Sequence, residues 1–125
     1  MRDVIATEHA PKAIGPYSQA IRANGFIFVS GQTPIDPANQ QLITGSVAEQ
    51  TERVLRNIEA ILKQAGSSMN KVVRCGVFLK DMNDFAAMNE VYARFFPNHP
   101  PARSTVQAAR LPKDCQVEID AIAVE

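Results

Sequence analysis

Only two stretches of this chain, residues 46–65 and 85–96, repeat apolar residues at three- and four-residue intervals; everything around them alternates or breaks up. The first opens on Ser46 with Glu49 three residues on, the spacing of a capping box. It continues through Val47, Val54, Leu55, Ile58, Ile61, Leu62 and Ala65 until Gly66 ends it. The second has Asp81 or Asn83 as a cap and Phe85, Met88, Val91, Tyr92, Phe95 and Phe96 as its stripe, with Pro97 and Pro100 forbidding continuation. Between them VVRCGVFL is β-branched and aromatic, and Val73, Cys75, Val77 and Leu79 alternate onto one face of an interior strand. Upstream, SQAIRA and FIFVS flank Asn24-Gly25, a pair that tolerates the positive φ of a type I′ hairpin. Residues 31–45 turn to Pro, Asp, Asn, Gln and Gly and predict an irregular surface connection. STVQAAR and CQVEIDAIAV, joined by LPKD, predict a C-terminal hairpin. This order implies an α+β fold, a mixed sheet with both helices on one face. The opposite face, to which Val72, Phe78, Ile122 and Val124 are assigned by parity, then needs a cover, and a homo-oligomer packed through its sheets supplies one.

With 125 residues the chain has room for one domain, residues 1–125. Lys plus Arg and Asp plus Glu are 13 each, so the formal charge is zero and binding of nucleic acid through a basic surface is disfavoured. No apolar run approaches the roughly 20 residues that span a bilayer, and the N-terminal MRDVIATEHA has no stretch of signal-peptide length. A cytoplasmic protein without membrane contact is the expectation. Cys75 and Cys115 lie forty positions apart, in strand-like runs, and imply neither a disulfide framework nor a metal knuckle.

Candidate chemistry is narrow. The two histidines, His9 and His99, sit near the terminus and in a helix-ending loop, and there is no GxSxG elbow, HExxH spacing or glycine-rich phosphate loop. No metal is expected. A loop centred between Pro112 and Lys113 would set Arg110 opposite Cys115 and odd-numbered residues opposite even ones. Arg103, Thr105 and Gln107 would then share the non-helix face with Glu118, Asp120 and Ile122, while Val117, Ile119 and Ala121 would face the helices. An ordinary surface ion pair uses the same two residue types as a site built on Arg103 and Glu118. Two features favour the site. Pro100-Pro101-Ala102 stiffens the approach to Arg103, and Glu118 interrupts an otherwise apolar strand. A guanidinium there suits bidentate capture of a small carboxylate, and Glu118 suits positioning or activating water. Tyr17 follows Gly15-Pro16 and offers either an apolar wall with a phenol or a core ring. Ser30-Gly31 offers a bare backbone N–H or a plain turn. Asn89, among the stripe residues of the second helix, is either a buried amide or a helix-flank residue.

The blocks AIGPYSQAI, FVSGQ, NEVYARFF, PARSTVQAARLPKD and VEIDAIAV resemble the signature blocks of the reactive intermediate deaminase family, also called RidA or YjgF, over the whole chain. PARS followed by RLPKD and VEIDAIA is the most distinctive part. The resemblance implies a chorismate-mutase-like fold with a six-stranded mixed sheet and two helices on one face. It further implies a homotrimer whose sheets form a central barrel, with sites in clefts between subunits. It implies hydrolysis, without a cofactor, of short enamine and imine intermediates such as 2-aminoacrylate, 2-iminobutanoate or 2-iminopropanoate to the 2-keto acid and ammonia. By resemblance Arg103 clamps the substrate carboxylate, Glu118 holds the attacking water, and Tyr17, Ser30, Gly31 and Asn89 line the cleft. Thr105 stands where relatives often carry Cys and keeps its backbone N–H, and residues 98–101 are shorter than in close relatives. A non-catalytic module that binds a small carboxylate such as a keto acid is the alternative. RNA cleavage, attributed to some members, is opposed by the zero net charge, the scarcity of histidine and the lack of an aromatic and basic cluster.

Overall fold

A computed structural model describes residues 2–125. Alternation of apolar residues builds eight strands: β1 (Arg2–Ile5), β2 (Ala20–Ala23), β3 (Phe26–Gln32), β4 (Ile35–Asp36), β5 (Gln41–Leu42), β6 (Val72–Leu79), β7 (Ala102–Gln107) and β8 (Val117–Val124). Six form one sheet in the order β1-β2-β3-β8-β6-β7, in which β6 and β7 alone run parallel. Two helices, α1 (Val47–Gln64) and α2 (Phe85–Phe95), supply the second layer. The fold is thus α+β, with two helices packed on a mixed six-stranded sheet.

Local chemistry explains the turns. Asn24 and Gly25 both take positive φ, 52° and 82°, as the type I′ turn between β2 and β3 requires. The Ser46 side chain accepts from Glu49 N while the Glu49 carboxylate accepts from Ser46 N at 3.1 Å, completing the capping box of α1. Asp81 accepts from Asn83 N and caps a single 3-10 turn, Met82–Asp84, which hands over directly to α2. The core lies between the layers: Leu55, Ile58, Ile61 and Leu62 of α1 meet Ile27, Val77, Leu79, Val117 and Ile119 of the sheet, all fully buried. No helix among the described residues is long and apolar enough to cross a membrane.

Four expectations are corrected. The C-terminal strands do not form a hairpin. β6, α2 and β7 make a strand–helix–strand crossover that lays β7 parallel to β6 at the sheet edge, and β8 inserts between β3 and β6. β8 takes the interior position because Val117, Ile119, Ala121 and Ala123 are all buried, and an interior strand is where such a row is covered. Residues 31–45 are not wholly irregular: β3 extends to Gln32, and β4 and β5 form a small antiparallel ladder. Val73 is exposed rather than buried, and Val72 lies in the core rather than on the open face. A register shift between Val72 and Arg74 against β8 moves the parity by one there, after which Cys75, Val77 and Leu79 point inward as expected.

Candidate functional site

Glu118 projects from β8 onto the sheet face away from the helices, opposite Phe78 of β6. Its carboxylate lies against the backbone of Gly31, where β3 slips register against β8 between Val29 and Gln32. A Cβ at position 31 would collide with the Glu118 carboxylate, so glycine is required there for close approach. The two residues share a cavity of about 520 Å³ with Tyr17, Ser30, Ile14 and Lys113. Burial, and then the neighbouring Asp120, raise the Glu118 carboxyl above the usual carboxylate range. Tyr17 is half-exposed, and its hydroxyl accepts from Ile14 N at 3.3 Å. Ser30 is occupied internally: its hydroxyl donates to Ser18 O at 2.6 Å and its N–H to Gln19 O at 2.9 Å. The Ser30 part of the predicted bare N–H is therefore already engaged.

Strands β3, β4 and β8 and the segments around Ile14, Tyr17, Thr33 and Lys113 wall this cavity, and buried amides hold the parts that are not in the main sheet. Gln19 accepts from Thr7 N at 2.7 Å and donates to Pro11 O at 2.7 Å, pinning the segment that leads to Ile14 and Tyr17. Asn57, fully buried on α1, donates to Thr33 O and Ile35 O at 3.3 and 3.0 Å and fixes the far rim. Gln50, one helical heptad earlier, accepts from Gln116 N at 2.9 Å, two residues before Glu118. Sequence reasoning missed these anchors. Their signal was present, since Gln50 and Asn57 are amides seven residues apart beside the apolar stripe of α1.

Arg103 lies elsewhere. It pairs with Cys75 across the parallel β6–β7 ladder, and Cys75 pairs in turn with Ala121, so Arg103 belongs to the helix side of the sheet. The Arg103 guanidinium carbon sits 4.7 Å from the centroid of the Tyr92 ring and 5.5 Å from that of Phe85, both on α2. Thr105 shares this face, and its hydroxyl is buried without a hydrogen-bond partner, as are Oδ1 of half-buried Asn89 and the Tyr92 hydroxyl. Burial raises the Tyr92 phenol and the adjacent Cys75 thiol above their ordinary ranges.

The predicted convergence of Arg103 and Glu118 within one chain is therefore overturned. It depended on β7 and β8 being hairpin partners. With β6 between them, Arg103 and Thr105 face the helices while Glu118 and Asp120 face the opposite side. The structure brings Tyr17, Ser30, Gly31 and Glu118 together and, separately, Arg103 and Thr105 with the flank of α2. Neither Arg103 nor Glu118 forms an ion pair among the described residues.

Comparison with known proteins gives a consistent picture. Residues 7–125 match the profile of the family described as endoribonuclease L-PSP. A RutC family protein of Pyrococcus horikoshii is 57% identical over 123 residues, covering 98% of each chain. A mouse protein named 2-iminobutanoate/2-iminopropanoate deaminase is 48% identical over 125 residues, covering 100% of this chain and 93% of its own. The crystal structure of Escherichia coli TdcF with bound serine superposes with a TM-score of 0.92 at 45% identity, covering 98% of each chain.

Proposed function

The chain belongs to the family described as endoribonuclease L-PSP, the YjgF or RidA family, and from that premise we propose that it is a cofactor-independent deaminase of short 2-imino and 2-enamino acids. The observation that carries this reading is the pair of half-built sites. One offers a carboxylate that pairs with no cation, in a cavity whose one basic lining residue is Lys113, and the other a guanidinium that pairs with no anion. We further propose that the halves meet between copies, Arg103 of one chain closing the Glu118 cavity of the next, in a homotrimer packed through its sheets. Phe26, Phe28 and Val106 are exposed on that sheet face, which is a large apolar surface for a lone chain to leave in water.

The chemistry asks little of such a site. An imine carbon is already electrophilic, so orientation supplies most of what is needed. In this reading Arg103 takes the substrate carboxylate bidentately, with Thr105 and Asn89 as further polar contacts, and Tyr17, Ser30 and Gly31 form the opposite wall. Glu118, its basicity raised by burial, accepts a proton as water adds to the C=N carbon. With the imine nitrogen protonated at the start, this gives the neutral carbinolamine. Glu118 returns the proton to its nitrogen, ammonia departs as the C–N bond breaks and the C=O bond forms, and the hydroxyl proton passes to Glu118 and on to solvent. One water is consumed, and one keto acid and one ammonia are released.

A second reading, a non-catalytic module for small carboxylates, is supported by the serine held in the E. coli relative. RNA cleavage finds less support, because His9 and His99 are exposed and belong to neither half and the formal charge is zero. The deciding experiment generates 2-iminobutanoate in situ and follows 2-ketobutyrate with wild type, Arg103→Ala, Glu118→Gln, and the two variants refolded together. A site shared between chains restores about a quarter of the sites at random mixing. A site within one chain restores none. Lack of acceleration by wild type, with 2-ketobutyrate still binding, would favour the module.

A further inference from the structure

Arg22, Arg56, Arg94 and Arg110 each reach a carboxylate, and Arg56 also lies 4.8 Å from the Phe95 ring centroid, whereas Arg103 has two aromatic rings beside it and no carboxylate. The difference matters at an anion site. A carboxylate partner would neutralise the guanidinium and occupy the in-plane N–H fork. A ring face attracts the cation through its quadrupole while leaving those donors free. The two rings come from one element: Phe85 and Tyr92 are seven residues apart and so lie on one side of α2, which the Met82–Asp84 turn and the end of β6 aim at β7. Tyr92 is itself fixed, 5% exposed and with its ring centroid 4.7 Å from that of Phe96. Its hydroxyl has no partner at full hydrogen-bond geometry but lies near the Cys75 thiol and Arg103, so removing the phenol oxygen alone separates its share from that of the ring. Arg103 by contrast stands on an edge strand with a long flexible side chain, and without the rings nothing among the described residues would orient it.

We propose that Tyr92, assisted by Phe85, is the positioning residue of Arg103, a ring clamp that presents an unpaired guanidinium to the substrate carboxylate. This deepens the reading of Arg103 as carboxylate anchor and rests on it. The role belongs to the ring and not to the phenol oxygen, so Tyr92→Phe should behave as wild type. Tyr92→Leu and Phe85→Leu keep apolar volume and lose the π face. Both should raise KM for 2-iminobutanoate and Kd for 2-ketobutyrate, about 10- to 100-fold for Tyr92→Leu and less for Phe85→Leu, with kcat held within about threefold.

The test measures all three variants beside Arg103→Ala, each as full-length protein. Heteronuclear NMR follows the Arg103 Nε–H, assigned by its loss in Arg103→Lys. That resonance is shifted upfield by the overlying rings in wild type and Tyr92→Phe, and collapses to the free-arginine position in Tyr92→Leu. Unchanged KM and Kd in Tyr92→Leu, with Arg103→Ala still defective, would overturn the clamp and leave the deaminase reading standing. A wild type that does not hydrolyse the imine would overturn that reading, while the ring dependence of Kd and of the Arg103 resonance would still decide the clamp. Equal loss in Tyr92→Phe and Tyr92→Leu would assign the effect to the hydroxyl and overturn the proposal.

Discussion

Glu118 reaches its cavity because a glycine at position 31 leaves room for a carboxylate against the backbone, whereas Arg103, on the opposite side of the same sheet, is placed by rings lent from a helix. One half is built by omission and desolvation. The other is built by added surface. The Glu118 half needs a rigid backbone slot, and buried amides on loops and helix supply it. The Arg103 half needs a charged group held without being neutralised, and aromatic stacking supplies that. In the proposed reading these are two incomplete binding surfaces, an unpaired carboxylate and an unpaired guanidinium, and that is the physical argument for pairing them across copies.

The largest expected effects separate the halves by kind. Arg103→Ala should abolish binding of 2-ketobutyrate and lower turnover by about a thousandfold or more, since both capture and orientation go with it. Glu118→Gln should retain binding and lower turnover by about a hundred- to ten-thousandfold, the range of a general acid–base group. Calorimetry with the keto acid beside the coupled imine assay reads both. Loss of binding in both variants would erase the distinction. Next comes Gly31→Ala. Its methyl must displace the Glu118 carboxylate, so turnover should fall about tenfold to a hundredfold, and stability by less than about 1 kcal/mol because the colliding atoms are the free end of a flexible side chain. Gly31→Ala in a Glu118→Ala background should recover most of that stability if the collision is the cause.

Which parts of this were legible in the sequence follows a physical divide. Asn24-Gly25 and the Ser46–Glu49 box were readable because their signals are complete within four residues, and both turned out as expected. The face of Arg103 was not, because it depends on which strand lies beside β7, and that is set by a crossover through α2. The strand–helix–strand order was itself visible, and it argues for a parallel pair. The competing preference for joining consecutive strands in a hairpin led to the wrong partner. Val73 failed for a smaller reason of the same type, a one-residue register shift that no local pattern announces. Arg103, Glu118 and Gly31 stand out as candidates by residue type alone, while their relative placement required the sheet order.

A change that touches neither half calibrates the rest. Ser46→Ala removes an N-cap and one side of a reciprocal pair and should cost about 1 kcal/mol, with turnover unchanged. A drop in turnover would mean that α1 transmits its end geometry to the cavity through Gln50 and Asn57, whose amides hold the strand and rim around Glu118. Urea unfolding beside the imine assay distinguishes the two.

The smallest effect tests how the halves sit once assembled. Burial and Asp120 raise the Glu118 carboxyl in the folded chain above its ordinary value of 4.5, so the fold favours the protonated form. A carboxyl raised in this way contributes its stability fully below the unfolded value and loses it as pH rises through the folded one. Above the folded value the wild type carries a half-buried charge that Glu118→Gln lacks. The variant should then be the more stable, by less than about 1 kcal/mol given the solvent that still reaches the group. The gap should close as pH falls below about 4, where both side chains are neutral. Unfolding at fixed protomer concentration across that range measures it. A wild type more stable than Glu118→Gln at pH 7 would require a cation pressed against Glu118. The candidates are Lys113 in the same cavity and Arg103 of a second copy, which Lys113→Gln separates; with Arg103 at ion-pair distance the two halves would leave no room between them for a substrate and a water.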